Sequence, residues 1–251
     1  MNLLASEWIK TRSVLSTWII AIAAVVVTVM VSVLGISGLM ADWQADLPAD
    51  FDPTGNSFKG ILVGQILVAT LGAQAITSEF ATGQIITSLT IAPKRGALLA
   101  AKLAIAALVA LATAVVIVGC SFAASQVALA AAGLPTASLA DPGTIRATLC
   151  AVAYLVLTAV LGLAFGTITR SSSGALAIIV TVGLLVPALA PGMPGILGDV
   201  AGTYWPTTAG QTSYTITGAG PFPPLLGLGI MAVFTLWMAL AAHLTLKTRD
   251  A

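Results

Sequence analysis

Six long apolar segments, separated by shorter polar ones, dominate the hydrophobic pattern of the chain. They lie at approximately residues 18–39, 60–77, 98–132, 147–168, 174–190 and 224–246. A helix needs about 20 mainly apolar residues to cross a hydrocarbon core about 30 Å thick, so the pattern predicts six transmembrane helices. The third segment is long enough to tilt or to project beyond the bilayer. The fifth ends at Pro187, which predicts a kink or a partial crossing.

A shorter segment before the first span has the spacing of an amphipathic helix. Its apolar members are Leu4, Trp8 and Leu15, and the polar members roughly opposite them are Ser6, Lys10 and Ser13. We interpret residues 1–16 as an interfacial helix on the membrane surface, with Trp8 and Trp18 at headgroup level. Its candidate interfacial residues are Glu7, Trp8, Lys10 and Arg12. A signal peptide is the alternative, but the apolar run from Val14 to Met40 is too long for one.

The composition supports the class that the pattern predicts. Hydrophobic residues make up 58% of the chain and charged residues 8%, and the mean hydropathy is +1.04. Soluble domains average about 45–50% and about 25%. We therefore expect an all-α polytopic membrane protein, with residues 1–251 forming a single transmembrane domain. The net charge of +1 indicates no nucleic-acid partner.

The basic residues predict the orientation in the membrane. With a cytoplasmic N-terminus, two basic residues fall outside, namely Lys59 and Arg146. The others fall inside: Lys10, Arg12, Lys94, Arg95, Lys102, Arg170, Lys247 and Arg249. Positive residues concentrate on the cytoplasmic side of membrane proteins, so both termini are predicted to be cytoplasmic.

The polar content of the spans excludes several functions. The centres of the six segments contain no Asp, Glu, Lys or Arg. Ion-coupled carriers and proton pumps usually need such groups at mid-membrane, so neither is expected. The polar residues left in the spans are Gln65, Thr70, Gln74, Gln126 and Thr181. They are candidates either for substrate contact or for hydrogen bonds between helices.

No catalytic or metal site is predicted. Ser173 and His243 are the only candidates for an intramembrane serine protease, but both lie at the ends of spans and no third group orients the histidine. One histidine with two cysteines makes no zinc site. The phosphate-binding motif Gly-x-x-x-x-Gly-Lys-[Ser/Thr] is absent from the sequence, so ATP hydrolysis is not expected of this chain.

Glycine, cysteine and proline positions add local predictions. Gly-x-x-x-Gly occurs at residues 60–64 and 162–166, which favours close helix packing within the chain over a dimer face. Cys120 and Cys150 are interpreted as small buried hydrophobic residues. The connector 191–224 is predicted to fold back against the membrane as short helices, either as a cap over a cavity or as a packed lid.

The connector between the second and third spans, residues 78–102, is unusually long and apolar. A polar turn would need about four or five residues. This one takes many more, and it keeps the apolar residues Phe80, Ile85, Ile86, Leu89 and Ile91. We interpret it as a docking surface, with an amphipathic connector lying on the membrane as the alternative.

Several of these stretches together resemble a known family. They are Glu-Trp-Ile-Lys-Thr-Arg at 7–12, Glu-Phe-Ala-Thr-Gly-Gln at 79–84, Leu-Thr-Ile-Ala-Pro-Lys-Arg at 89–95 followed by Lys102, and Trp-Pro-Thr-Thr-Ala-Gly at 205–210. With six spans, they resemble the membrane permease subunit of bacterial type-2 ATP-binding-cassette (ABC) exporters. The resemblance covers nearly the whole chain, and residues 79–95 are its most specific part.

The resemblance implies a set of partners and a coupling site. The connector would carry a coupling helix that sits in a cleft of a separate ABC ATPase subunit. Its candidate coupling residues are Glu79, Phe80, Thr82, Gly83, Ile85, Leu89, Ile91, Pro93, Lys94 and Arg95. Implied partners are two ATPase subunits holding ATP and Mg, a second copy or a paralogous permease, and the lipids of the bacterial inner membrane.

The expected function is therefore that of a permease subunit in an ATP-driven exporter, which is not itself an enzyme. The alternative is a membrane scaffold or sensor driven by an associated ATPase without transport. The uncharged spans suit lipids, hydrophobic drugs and apolar peptides alike, and the sequence does not choose among these substrates.

Overall fold

The computed structural model describes residues 3–43, 51–85, 95–217 and 222–248, with side chains described up to residue 36 in the first range. The helices are α1 (Leu3–Ser13), α2 (Leu15–Trp43), α3 (Pro53–Ser57), α4 (Ile61–Thr82), α5 (Arg95–Ala131), α6 (Thr144–Thr169), α7 (Ser172–Val180), α8 (Val186–Leu189), α9 (Ile196–Asp199), α10 (Pro206–Gln211) and α11 (Pro224–Thr248). A π-helical turn, Thr181–Leu185, joins α7 to α8.

The all-α prediction is confirmed, because the structure is 86% helical and has no strand among the described residues. In the part of the chain that the structure describes, six helical segments are long and apolar enough to cross a membrane: Leu15–Ile36, Ile61–Thr82, Arg95–Ala131, Thr144–Thr169, Ser172–Gly192 and Pro224–Thr248. Each overlaps one predicted span. At about 1.5 Å per residue, the 37 residues of α5 measure about 55 Å, so this helix is longer than a bilayer core is thick.

The six spans form a bundle around α6, which contacts α4, α5 and α11. One end holds α1, the last turn of α4, the first turns of α5 and the last turn of α11; we call it the α1 end. The opposite end, the far end, holds α3, the start of α6 and the segment from α9 to α10. There the hydroxyl oxygens of Thr54 and Thr144 lie 3.3 Å apart. Arg146 donates hydrogen bonds to the carbonyls of Ser213 and Thr215.

Small residues let the spans approach closely within the chain. A methyl group added at Gly162 would collide with the backbone of Ala69 on α4, and one at Gly72 would collide with the backbone of Ala159 on α6. Glycines 60 and 64 lie in the same way against Thr28 and Ser32 of α2. Both predicted glycine motifs therefore serve packing between helices of the same chain, as expected.

A π-helical turn lies just before Pro187, in the span for which a kink or a partial crossing was predicted. The helical segment continues past Pro187 to Gly192 and is long enough to cross a membrane, which does not favour a partial crossing. The kink stays a prediction.

Proline has no N–H. It therefore cannot donate a hydrogen bond to the carbonyl four residues earlier, as in an α-helix, or five residues earlier, as in a π-helix. Those carbonyls belong to Gly183 and Val182. Gln65 donates to the first at 2.9 Å, and Trp205 Nε1 donates to the second at 2.8 Å. Side chains from α4 and from the residue before α10 thus donate to the two carbonyls that lack a proline N–H partner.

The connector predicted at 191–224 contains short helices, as expected; α10 is packed into the bundle, whereas α9 is exposed. Thr207, Ala209 and Ser213 are buried, and α10 lies against α11. One local interpretation is wrong: Cys150 is buried, but Cys120 is exposed. Cys120 lies next to Gly119, which has no neighbour within 4 Å on the open face of α5, so helical phase turns this cysteine away from the core.

Candidate functional site

Four charged side chains meet at the α1 end. Glu7 and Lys10 come from α1, Glu79 from the last turn of α4 and Lys102 from α5. Lys102 Nζ lies 2.8 Å from Glu7 Oε2 and 2.7 Å from Glu79 Oε1. Lys10 Nζ lies 3.0 Å from Glu7 Oε1 and 3.0 Å from Glu79 Oε1. We call this group the ionic cluster.

The ionic cluster is mostly buried. Glu7 and Glu79 are each 5% exposed, and Lys102 is 2% exposed. Lys102 also donates to the carbonyl of Ala75 on α4. A buried charge is tolerated only when it is paired, so each member holds the others in the bundle. The cluster thereby ties α1 to the end of α4 and to α5.

Lys10 is the most exposed member of the ionic cluster. Burial by itself lowers the pKa of Lys10, but the hydrogen bonds and negative charges of Glu7 and Glu79 outweigh it, and the pKa is raised. Because the folded-state pKa is the higher one, the contribution of Lys10 to stability is complete below the ordinary lysine pKa. It is lost only as the pH rises through the raised value.

The predicted interfacial helix, α1, turns its charged face inward. Glu7 is buried, whereas Leu4, Trp8 and Ile9 are exposed. Arg12 lies in the last turn, and its carbonyl accepts a hydrogen bond from Trp18 Nε1 at 3.1 Å. The helix therefore presents apolar side chains away from the protein. Its position on a membrane surface stays a prediction.

The residues that follow Glu79 differ in their exposure. The Phe80 ring lies under the guanidinium of Arg170, whose Cζ is 5.4 Å from the ring centre. Thr82 is exposed, and Gly83 ends α4 with a φ of 71°, a left-handed conformation that suits glycine. Ile85 is 4% exposed. Of the predicted coupling residues, Leu89, Ile91, Pro93 and Lys94 lie outside the described residues.

The chain re-enters the bundle at Arg95, the first residue of α5. Its Nη1 donates to the carbonyl of Leu246 at 2.9 Å and to that of Lys247 at 3.3 Å, at the end of α11. A cation at a helix C-terminus also meets the negative end of the helix dipole. The first turn of α5 is thus fixed to the last turn of α11.

Sequence reasoning found these residues but assigned them separate roles. Glu79 and Arg95 were predicted to contact a partner and Glu7 to lie at the membrane surface, whereas Lys102 indicated the orientation and formed part of the resemblance. The structure brings Glu7, Glu79 and Lys102 together. Their charges could have indicated this pairing. Charged residues are rare in this chain, and the predicted spans place these opposite charges at the same end of the bundle.

A second polar network lies nearer the far end; Gln65 was predicted to take part in such contacts, but its partners Tyr154 and Gly183 were not. The Tyr154 hydroxyl donates a hydrogen bond to Gln65 Oε1, and Gln65 Nε2 donates one to the Gly183 carbonyl. Gln211 Nε2 lies 3.5 Å from the Tyr154 hydroxyl. The signal was Pro187, because it frees carbonyls that a buried amide can satisfy. Gln65 thus makes hydrogen bonds between helices, one of the two roles expected of it.

Comparison with known proteins identifies the family. A model of the family described as ABC-2 family transporter protein matches residues 3–188, which is most of the chain. No curated protein matches this chain. Members of this family are membrane components of transporters, and membership implies association with an ABC ATPase. The chain therefore belongs to the ABC-2 transporter family and is a multi-pass membrane permease subunit of an ABC-2 type transporter.

Proposed function

We propose that this permease works in an ATP-driven exporter of a bacterial inner membrane. It forms the translocation pathway as a dimer, with a second copy of itself or with a paralogue. Two ATPase subunits bind ATP and Mg and dock at the α1 end, which faces the cytoplasm. Six spans make half of such a pathway, and the basic residues of the chain are concentrated at this end.

One observation carries the proposal: the connector between α4 and α5 is anchored on both sides. It begins beside Glu79, which is fixed to α1 and α5 through the ionic cluster, and it ends at Arg95, which is fixed to α11. A force applied to this connector would therefore move α1, α4, α5 and α11 together.

The anchors divide the predicted coupling residues into two groups. Glu79, Phe80 and Arg95 contact other parts of this chain, so we assign them to transmission of the movement. Thr82 and Gly83 are exposed, and we assign contact with the ATPase to them and to Leu89 and Ile91, but not to the buried Ile85. When the two ATPases close on ATP, the connector would pull on α4. Its close packing with α6 would carry the movement into the bundle.

Co-purification with the cognate ATPase tests this proposal. Leu89→Asp places a charge on the connector and is expected to abolish retention of the ATPase. Leu139→Asp makes the same change at an exposed far-end position and is expected to leave retention unchanged. Equal retention by both variants would contradict docking at the connector. A complex that forms as expected but never transports in vesicles would favour the scaffold or sensor function.

A further inference from the structure

The turn between α6 and α7 is very short. Arg170 ends α6, and its N–H donates to the carbonyl of Gly166 at 2.9 Å. Ser171 then begins α7, and its hydroxyl oxygen accepts a hydrogen bond from the N–H of Gly174 at 3.4 Å. Since only these two residues separate the helices, a displacement of Arg170 must also displace the first turn of α7.

Arg170 has a backbone conformation that glycine adopts more easily. Its φ is 55° and its ψ is 20°, in the left-handed region, and no other non-glycine residue in the described ranges has a positive φ. Glycine commonly ends a helix in this conformation, because a side chain there makes unfavourable contacts with the backbone. The backbone of the turn thus favours glycine, and what arginine contributes lies in its side chain.

The side chain of Arg170 joins this turn to the last turn of α4. Its Cζ is 5.4 Å from the centre of the Phe80 ring, within the distance of about 6 Å at which a cation is attracted to the face of an aromatic ring. A second contact lies beside it, because Ser172 Oγ donates to Thr77 Oγ1 at 2.9 Å. Thr77 and Phe80 flank Glu79 in sequence. The start of α7 is therefore held by the same turn of α4 that anchors the connector.

The surroundings of α7 allow it to tilt. It packs against α4 and α6, while a cavity of about 160 Å³, lined in part by Ile20 and Leu176, lies between it and α2. Less of the fifth span than of α6 is buried within the protein. At its other end, α7 runs into the π-helical turn Thr181–Leu185, where the regular α-helical hydrogen bonding is interrupted. A helix held at one end and irregular at the other can pivot about the irregular turn.

We propose that Arg170 is a positioning residue that couples the connector to the fifth span. By holding the first turn of α7 against Phe80, it passes a displacement of the connector to α7, which tilts about the π-helical turn. The ionic cluster carries the same displacement to α1 and α5, and Arg95 carries it to α11. This inference rests on the proposed function, because the displacement originates in the ATPase.

ATP hydrolysis by the assembled transporter in lipid nanodiscs tests this role. Arg170→Gly and Arg170→Asn both remove the cation, and both residues tolerate the left-handed backbone. We expect both variants to retain the ATPase and to unfold at about the wild-type temperature, because relief of the backbone offsets the lost ring contact. The stimulation of hydrolysis by the permease should fall by about twofold or more. Arg170→Lys keeps a cation for the ring and should keep most of the stimulation.

Two further variants separate coupling from general effects. Lys247→Asn removes an exposed cation at the same end and should leave the stimulation unchanged. Phe80→Leu should lower it as Arg170→Asn does, and the double variant should lower it no further, because both changes remove one contact. Phe80→Leu also leaves Arg170 in place, so it gives the same test if the Arg170 variants do not fold.

The possible results lead to different conclusions. Wild-type stimulation in Arg170→Asn and Phe80→Leu would overturn the inference and leave the proposed function standing. The same loss in Arg170→Lys as in Arg170→Asn would also overturn it, because the cation would then not be what matters. If the wild-type permease retains no ATPase or does not stimulate it, the proposed function fails, and this inference fails with it.

Discussion

At the scale of single residues, the central feature is a set of charges in a protein that has few. Lys102 is almost fully buried, yet it lies on a helix that is long and apolar enough to span a membrane. Desolvation makes such a charge costly, and two carboxylates at 2.7 and 2.8 Å offset that cost. The arrangement holds the ends of three helices in one register. We expect the ion pairs to fix the relative positions of these helices more than they increase the free energy of unfolding.

Loss of Lys102 is expected to be much more damaging than loss of Lys10. Lys102→Met removes the buried cation and leaves two buried carboxylates with the partly exposed Lys10 as their remaining cation in the ionic cluster, which should lower the free energy of unfolding by about 3–5 kcal/mol. Lys10→Met removes a partly exposed cation from the same carboxylates and should cost about 1 kcal/mol or less. Thermal unfolding of the two variants in the same detergent checks this order.

A second substitution shows whether the cost arises from charge. Adding Glu79→Gln to Lys102→Met removes one of the two carboxylates that have lost their lysine partner. Part of the lost free energy of unfolding should therefore be recovered. If the double variant is less stable than Lys102→Met by the full cost of Glu79→Gln alone, the two residues are not coupled, and the ionic cluster does not act as a unit.

At the scale of elements, α4 and α6 pack more closely than side chains usually permit. Gly162→Ala would press a methyl group into the backbone of Ala69 and is expected to destabilise the protein by about 1–3 kcal/mol. Gly119→Ala is the matched control, because no atom lies within 4 Å of the added methyl group. It should be neutral or stabilise its helix by up to about 1 kcal/mol. Similar unfolding temperatures for both variants would contradict the close approach.

The fifth span gives a prediction with an internal rescue. Gln65→Leu leaves the Gly183 carbonyl and the Tyr154 hydroxyl without their partner, which should cost about 1–3 kcal/mol. Pro187→Ala supplies an N–H that can reach this carbonyl, so the double variant should recover part of the loss. Unfolding measurements on the three variants check this result. Strictly additive losses would show that Pro187 does not create the need for Gln65.

At the scale of the whole molecule, hydrophobic pattern predicted the architecture well. The length of an apolar segment needed to cross a bilayer depends only on local sequence, so all six spans could be located. The glycine motifs are equally local, and the close packing within the chain that they predicted was confirmed. The resemblance drawn from residues 7–12, 79–95 and 205–210 likewise led to the family that the comparison identified.

Pairings between distant segments could not be predicted in this way. Glu7, Glu79 and Lys102 are far apart in sequence, and only the packing of α1 against α5 brings them together. Cys120 was misjudged for a related reason: a residue in a uniformly apolar helix shows no phase from which its buried side can be read. The hydrogen bond from Trp205 to the Val182 carbonyl also depends on how the far-end segment folds back.

The most direct test of the proposed coupling is ATP hydrolysis by the assembled transporter in lipid nanodiscs, comparing wild type with Glu79→Gln. Glu79→Gln keeps the exposed connector surface but weakens its anchor to Lys102. If movement passes through the ionic cluster, this variant retains the ATPase in full while losing most of the stimulation of hydrolysis that the wild-type permease provides. Full retention of the ATPase with wild-type stimulation would contradict transmission through the ionic cluster.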